Sequence, residues 1–319
     1  MNSLVSFITN VHEFFVNNDR VMKRHLQHLR FLLCVALACC SKEYHNRDVA
    51  SHDRQQESDW KETLELRTAG EHLIMGNPSD ANASLNASEN YLLLKKQFAL
   101  SYHRTRGTPN WVSWHLDKSW IGTASRQDNF REDSSLPVEW ERVTDDDYNN
   151  SGFDRGHHCP SGDRTFSIND NASTFLMSNI IPQAPANNRQ LWADLEQYCR
   201  DLVDRDYELY IIMGSYGTGG TGTLGMMDVI AKGKVTVPER IWKTILILPK
   251  GENDLSRTSA STRLIAVDMP NTNNITGSWG DYRVSVNEIE TVTGFNLYSA
   301  LPSPVQSKIE ALRDNGPTQ

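Results

Sequence analysis

Two short runs, residues 207–213 and 242–248, read as continuous apolar segments. They constrain the fold more than any other feature, because such runs suit central strands covered on both faces. Residues 264–267 read as a weaker third strand, and 98–102 and 111–116 also carry strand character. In the last of these, Trp111, Ser113 and His115 fall on one face and Val112, Trp114 and Leu116 on the other. Gly107 and Pro109 predict a turn over 105–110. The clearest helix covers 189–203, where Leu191, Leu195, Cys199 and Leu202 recur at helical spacing, with Asn187 or Asn188 offered as a cap. At 100° per residue Glu196 and Arg200 share one edge of that helix and flank its apolar stripe. Strand and helix signals interleave without a steady βαβ rhythm, which predicts an α+β fold.

The N-terminal segment reads as an address. Met22 offers a second start. Lys23, Arg24 and Arg30 precede a ten-residue apolar run, 31–40, with small residues near its end. That is the pattern of a secretory signal, and the run is too short to span a bilayer. Leu37-Ala38-Cys39-Cys40 resembles a bacterial lipobox, which makes Cys39 or Cys40 the candidate lipidated residue and predicts an exported, envelope-tethered or extracellular protein. The competing reading is an N-terminal core helix. The expected organisation is an extension plus signal over 1–39, a charged polar tether over 40–70 with helical tendency around 60–67, and one domain over 71–313. Of five cysteines, only Cys159 and Cys199 lie in that domain, too few for a disulfide framework.

Charge excludes less than it first suggests. The chain carries 32 Lys+Arg against 40 Asp+Glu, a net −8. An acidic chain is a poor general binder of polyanions. Between Arg104 and Arg200, however, stand nine arginines and one lysine, and arginine is the fork-shaped ligand of phosphate. The competing reading pairs these arginines with nearby acids such as Asp145–Asp147. Residues 217–222 fit G-x-G-x-x-G, but no helix pattern follows them, so they read as a flexible loop and not as a dinucleotide site. His157-His158-Cys159 lacks the paired spacing of a zinc site.

The residues that carry chemistry are Asp154-Arg155-Gly156-His157, in a polar stretch broken by glycine and proline, and Asn187-Asn188-Arg189 with Glu196 and Arg200 some thirty residues on. Hydrolysis of a phosphodiester needs a base near neutrality, oxygen ligands for a divalent cation, and guanidinium groups for the phosphate oxygens. His157, Asn188, Glu196 and the arginines supply these.

Asp154-Arg155-Gly156-His157, followed by Pro160-Ser161 and Asp163-Arg164, resembles the DRGH motif of the DNA/RNA non-specific endonucleases, ββα-metal (His-Me finger) enzymes that include endonuclease G. The resemblance continues through Asn171-Ala172, residues 174–179, Pro182-Gln183, Asn187-Asn188-Arg189, Trp192, Leu195-Glu196 and Tyr198-Cys199-Arg200. Upstream, His72-Leu73, residues 76–79, 107–114 and 126–130 are similar to the secreted bacterial branch. The resemblance covers roughly 70–312. It implies a central antiparallel sheet with flanking helices and a ββα-metal motif over about 150–203. It implies His157 as general base, Asn188 as the direct ligand of Mg²⁺ (Mn²⁺ as substitute), and Glu196 holding a metal-bound water. Arg155 and Arg200 would orient phosphate and the metal network, and Arg126 would stabilise the transition state. Asp154 would shape the loop. DNA and RNA are the implied substrates, with 5′-phosphate products; a homodimer and an inhibitor protein are further implied partners. His158-Cys159 and Gly162 depart from the family pattern. Two other functions fit the same residues: a phosphodiesterase on another diester, and an inactive nucleic-acid-binding lipoprotein, which would have no need of a general base.

Overall fold

A computed structural model describes residues 70–319. The signal, the lipidation candidates Cys39 and Cys40, and the tether up to residue 69 lie outside the described residues. Thirteen strands are present among those described: β1 Tyr91–Leu94, β2 Ala99–His103, β3 Thr108–Leu116, β4 Asp154–His157, β5 Ile180–Gln183, β6 Tyr207–Tyr216, β7 Gly220–Gly222, β8 Gly225–Met227, β9 Val229–Ile230, β10 Val235–Thr236, β11 Arg240–Pro249, β12 Arg263–Pro270 and β13 Arg283–Val284. The helices are α1 Ile168–Ser173, α2 Ala193–Asp204, the single turn α3 Asp254–Arg257, α4 Val286–Thr293 and α5 Ser303–Glu310.

Seven strands form one antiparallel sheet in the order β1-β2-β3-β6-β11-β12-β13. The long runs are its centre, with Trp242 opposite Gly214 and Asp268. Both faces are covered, as the apolar runs require. One face packs Val112, Trp114, Ile211, Met213, Ile241, Ile245 and Ile265 under α2, whose Leu195, Cys199, Leu202 and Val203 point down onto it. The other packs Trp111, Ile212, Trp242 and Leu246 beneath α4 and α5, through Val286, Ile289 and Ile309. Each fully buried aliphatic chain contributes about 1.5–3 kcal/mol relative to exposure. The alternation expected along 111–116 holds.

The central runs are not wholly apolar. Glu208 interrupts β6 and Lys243 interrupts β11, and both are buried. The reading as unbroken apolar strands is corrected at these two positions.

Three further expectations differ. β3 begins at Thr108, so the turn is Arg104–Gly107, where Gly107 takes φ +64°. The glycine-rich segment is no flexible loop: β7 and β8 pair as a hairpin, and a Cβ on Gly222 would lie 2.4 Å from the Gly152 carbonyl oxygen. That close approach is what the glycine permits. The DRGH segment is no irregular loop either. It is strand β4, paired with β5 from Asp154↔Gln183 to His157↔Ile180. Gly156 allows this, since a Cβ there would meet the Gln183 side chain at 2.2 Å.

Candidate active site

β4, β5 and α2 make a hairpin followed by a helix, laid against the central sheet. The helix does not begin as its sequence suggested. A π-helical turn, Asn187–Trp192, precedes α2, and neither asparagine caps it. Asn187 accepts from Gln183 Nε2 (2.7 Å) and donates to the Pro270 carbonyl. The free amides of Ala184 and Ala186 are instead satisfied by Asn271 Oδ1 and Asn273 Oδ1, at 2.7 and 2.8 Å. A long-range loop has taken over the local cap, which leaves both asparagine side chains for other work.

The π-turn also sets phase. Eight residues separate Asn188 from Glu196, roughly 80° on an uninterrupted α-helix. The extra residue that a π-turn accommodates reduces this to roughly 20°, putting both on one line of the helix. Asn188 donates its amide nitrogen to Asp154 Oδ2 at 2.9 Å, and Arg189 grips the same carboxylate through two nitrogens at 2.8 and 2.6 Å. With its nitrogen committed, Asn188 presents its carbonyl oxygen. An amide oxygen and a nearby carboxylate make an all-oxygen donor set, which suits a hard cation that retains several waters.

His157 ends β4, 8% exposed, between two rings: Phe175 at 4.9 Å and Phe130 at 5.4 Å between centroids. Its Nε2 has no protein partner. Burial, then the charge of Arg126, lower its pKa to about 3, so the imidazole is neutral at ordinary pH. Arg126 lies over Phe175 (4.8 Å), with Ser161 Oγ and Asp128 as partners. Arg155 lies over Phe130 (5.5 Å), paired with Asp145 and donating to Asn149 Oδ1 at 2.7 Å. Two arginines thus stand over the two rings that hold His157. For Arg155 the acid-paired alternative is also present, since Asp145 is its partner.

Arg200 donates to Asp163 Oδ1 at 3.1 Å, and Trp114 Nε1 donates to Asp163 Oδ2 at 3.0 Å. Gly162 is explained by this contact: a Cβ there would lie 2.9 Å from Arg200 Nη1. Glu196 looks inward to Lys243, Oε1 to Nζ 3.6 Å. Burial pushes its carboxyl up, and the Lys243 ammonium opposes that. Neither Asp163 nor Lys243 was singled out from sequence as a site residue. A lysine inside an otherwise apolar strand is the signal that could have found the second.

The zinc reading has no support in this geometry. His158 is turned to the Asn179 carbonyl at 3.2 Å, and Cys159 packs into the core. Cys159 and Cys199 are both free and buried, and burial pushes each thiol up to about 12. Among the described residues, one group of His and carboxylates could hold a metal: His115, Glu208 and Asp254, with ligand atoms within 4.8 Å of one another. It sits on the opposite face of the sheet from α2, and Arg257 already pairs with both carboxylates.

A family model described as DNA/RNA non-specific endonuclease matches residues 76–303. The chain belongs to that family. It is 47% identical over 244 residues to a nuclease of Nostoc sp., a match covering 76% of this chain and 86% of that protein. It is 32% identical to the human mitochondrial nuclease EXOG, where the match spans 64% of this chain and 55% of that protein. A crystal structure of an EndoG/EndoGI complex matches with TM-score 0.59 at 23% identity, over 74% of this chain and 93% of that one, a likeness of fold. The family and the geometry agree on an α+β nuclease whose hairpin–helix unit carries the DRGH strand.

Proposed function

We propose that this nuclease is a sugar-non-specific endonuclease that hydrolyses DNA and RNA with Mg²⁺ and leaves 5′-phosphates, Mn²⁺ serving in its place. The observation that carries this is the placement of His157 between two rings with Nε2 free of protein partners. A neutral imidazole nitrogen can take the proton of an attacking water, which is general-base catalysis. Phe130 and Phe175 fix the ring plane and keep competing donors away from it.

Asn188 would hold the cation directly through its amide oxygen and Glu196 through water; bound there, the cation would neutralise charge on the phosphate and the leaving oxygen. Asp154 positions Asn188 by binding its nitrogen. Arg126, whose charge already reaches His157, would face the charge that builds on the phosphate. Arg155 and Arg200 are each anchored by a carboxylate, which suits them to orient phosphate and the network around Glu196. The N-terminal pattern supports export, with lipidation at Cys39 or Cys40. An inhibitor protein and self-association are proposed partners on the strength of the family resemblance.

The test is nicking of supercoiled plasmid, and cleavage of a structured RNA, by the full chain. Mg²⁺ should support both, and EDTA or His157→Ala should abolish both. Folded protein that leaves both substrates intact at low salt with Mg²⁺ or Mn²⁺ would overturn the reading.

A further inference from the structure

Along β11 the side chains facing α2 run Ile241, Lys243, Ile245, Ile247. Lys243 is 1% exposed in the middle of the sheet. Burying an ammonium is unfavourable unless it is well partnered, and an apolar side chain of similar volume would serve such a position as well or better. The fold therefore has no need of a cation there. What surrounds the ammonium is specific. Nζ lies 4.7 Å from the Trp192 ring centroid and 5.5 Å from that of Trp114, two π faces that replace part of the lost hydration. Its carboxylate partner is Glu196, at 3.6 Å. The other buried acid nearby, Asp163, is already occupied by Arg200 and Trp114. Both indoles are thus pinned to the site: Trp192 closes the π-turn that phases Asn188 with Glu196, and Trp114 donates to Asp163.

We propose that Lys243 is a positioning residue of the active site, whose ammonium holds the Glu196 carboxylate in place from inside the sheet. It does not touch substrate. It acts through Glu196, so the inference rests on the role given to Glu196 above. Without the ammonium, Glu196 loses its buried counter-charge and its anchor, and the cation site loosens.

The experiment measures Mn²⁺ binding to the full chain by the EPR signal of free Mn²⁺, alongside Tm, for wild type, Lys243→Met, Glu196→Gln and the double variant. Loss of an outer partner of a metal site weakens affinity by about tenfold or more. K243M should therefore weaken Mn²⁺ binding of the folded protein about tenfold, and Tm should fall because the Glu196 carboxylate is left without its counter-charge. E196Q should weaken it similarly, and the double variant should bind no more weakly than E196Q alone. Wild-type affinity in K243M beside a weakened E196Q overturns the role of Lys243. So does a double variant in which the two losses multiply. Wild-type affinity in E196Q overturns the assignment of Glu196 itself, and the role of Lys243 with it. If K243M does not fold, Tm decides: the double variant removes both buried charges together and should melt above E196Q, and a double variant melting below E196Q overturns the proposal.

Discussion

Each of the two central strands carries one buried charge, and the sheet houses the two differently. Glu208, on the face away from α2, is saturated. One oxygen accepts from the Gly251 N–H and pairs with Arg257; the other sits 3.1 Å from His115 Nε2. Asp254, beside it, is bound by Arg257 and Tyr210. Lys243, on the α2 face, has one carboxylate at 3.6 Å and two indole faces. Three strong partners make a closed knot that ties the β6 start to the α3 turn. One loose partner leaves a charge whose effect is exerted on a neighbouring side chain. The two charges are both buried and differ in their number of partners.

That comparison can be broken in several ways. The largest effect belongs to the α2 face: His157→Ala should cut plasmid nicking by about 10²–10⁴-fold, the usual contribution of a general base, in protein that remains folded. On the other face, Glu208→Ala should leave Arg257 with Asp254 as its remaining carboxylate, strip the Gly251 N–H and His115 of their partner, and cost about 3 kcal/mol in denaturant unfolding. Mn²⁺ affinity of the folded protein should stay at the wild-type value. A drop there would mean that the His115–Glu208–Asp254 group holds the cation and the two faces have been assigned the wrong way round. Asp154→Ala should free the Asn188 amide to rotate and weaken Mn²⁺ binding about tenfold, with little change in unfolding. Gly162→Ala is the finest probe. Its Cβ would displace the mobile end of Arg200, so a several-fold loss of activity is expected with under about 1 kcal/mol of stability.

Acid should act on the α2 face as well. His157 and His158 are both lowered to about 3 by burial, against about 6.5 in an unfolded chain. Below pH 6.5 the unfolded chain takes up protons that these rings refuse. Their stabilising contribution is therefore complete above about 6.5 and drains as pH falls toward 3. Denaturant midpoints measured between pH 7 and 4 should fall, and the fall should be shallower in His157→Ala. An equal slope in the variant would show that the His157 ring is hydrated in the folded protein.

Much of this molecule was legible from residue type and spacing. The strand positions follow from period-two and continuous apolar patterns, and the α2 stripe from Leu195, Cys199 and Leu202, because side-chain periodicity is a local property of the chain. His157, Asn188, Glu196 and the arginines could be named as candidates because residue type alone says which groups can serve phosphodiester hydrolysis. What was misread has one cause. The DRGH strand looked like a loop because its pairing partner β5 stands over twenty residues away. Asn187 and Asn188 looked like caps because the residues that do that work, Asn271 and Asn273, come from the far end of β12. The run 242–248 was read as apolar although Lys243 stands in it, and the partner of that lysine, Glu196, lies over forty residues away.

The sequence by itself determined the central strands, the apolar stripe of α2 and which functional groups are available, since these depend on neighbours along the chain. Tertiary structure alone decided where those groups point. It placed the π-turn that brings Asn188 into line with Glu196, the two rings that hold His157 neutral, and the buried ammonium behind the carboxylate. The last two are contacts between segments distant in sequence, and packing, not local propensity, sets their geometry.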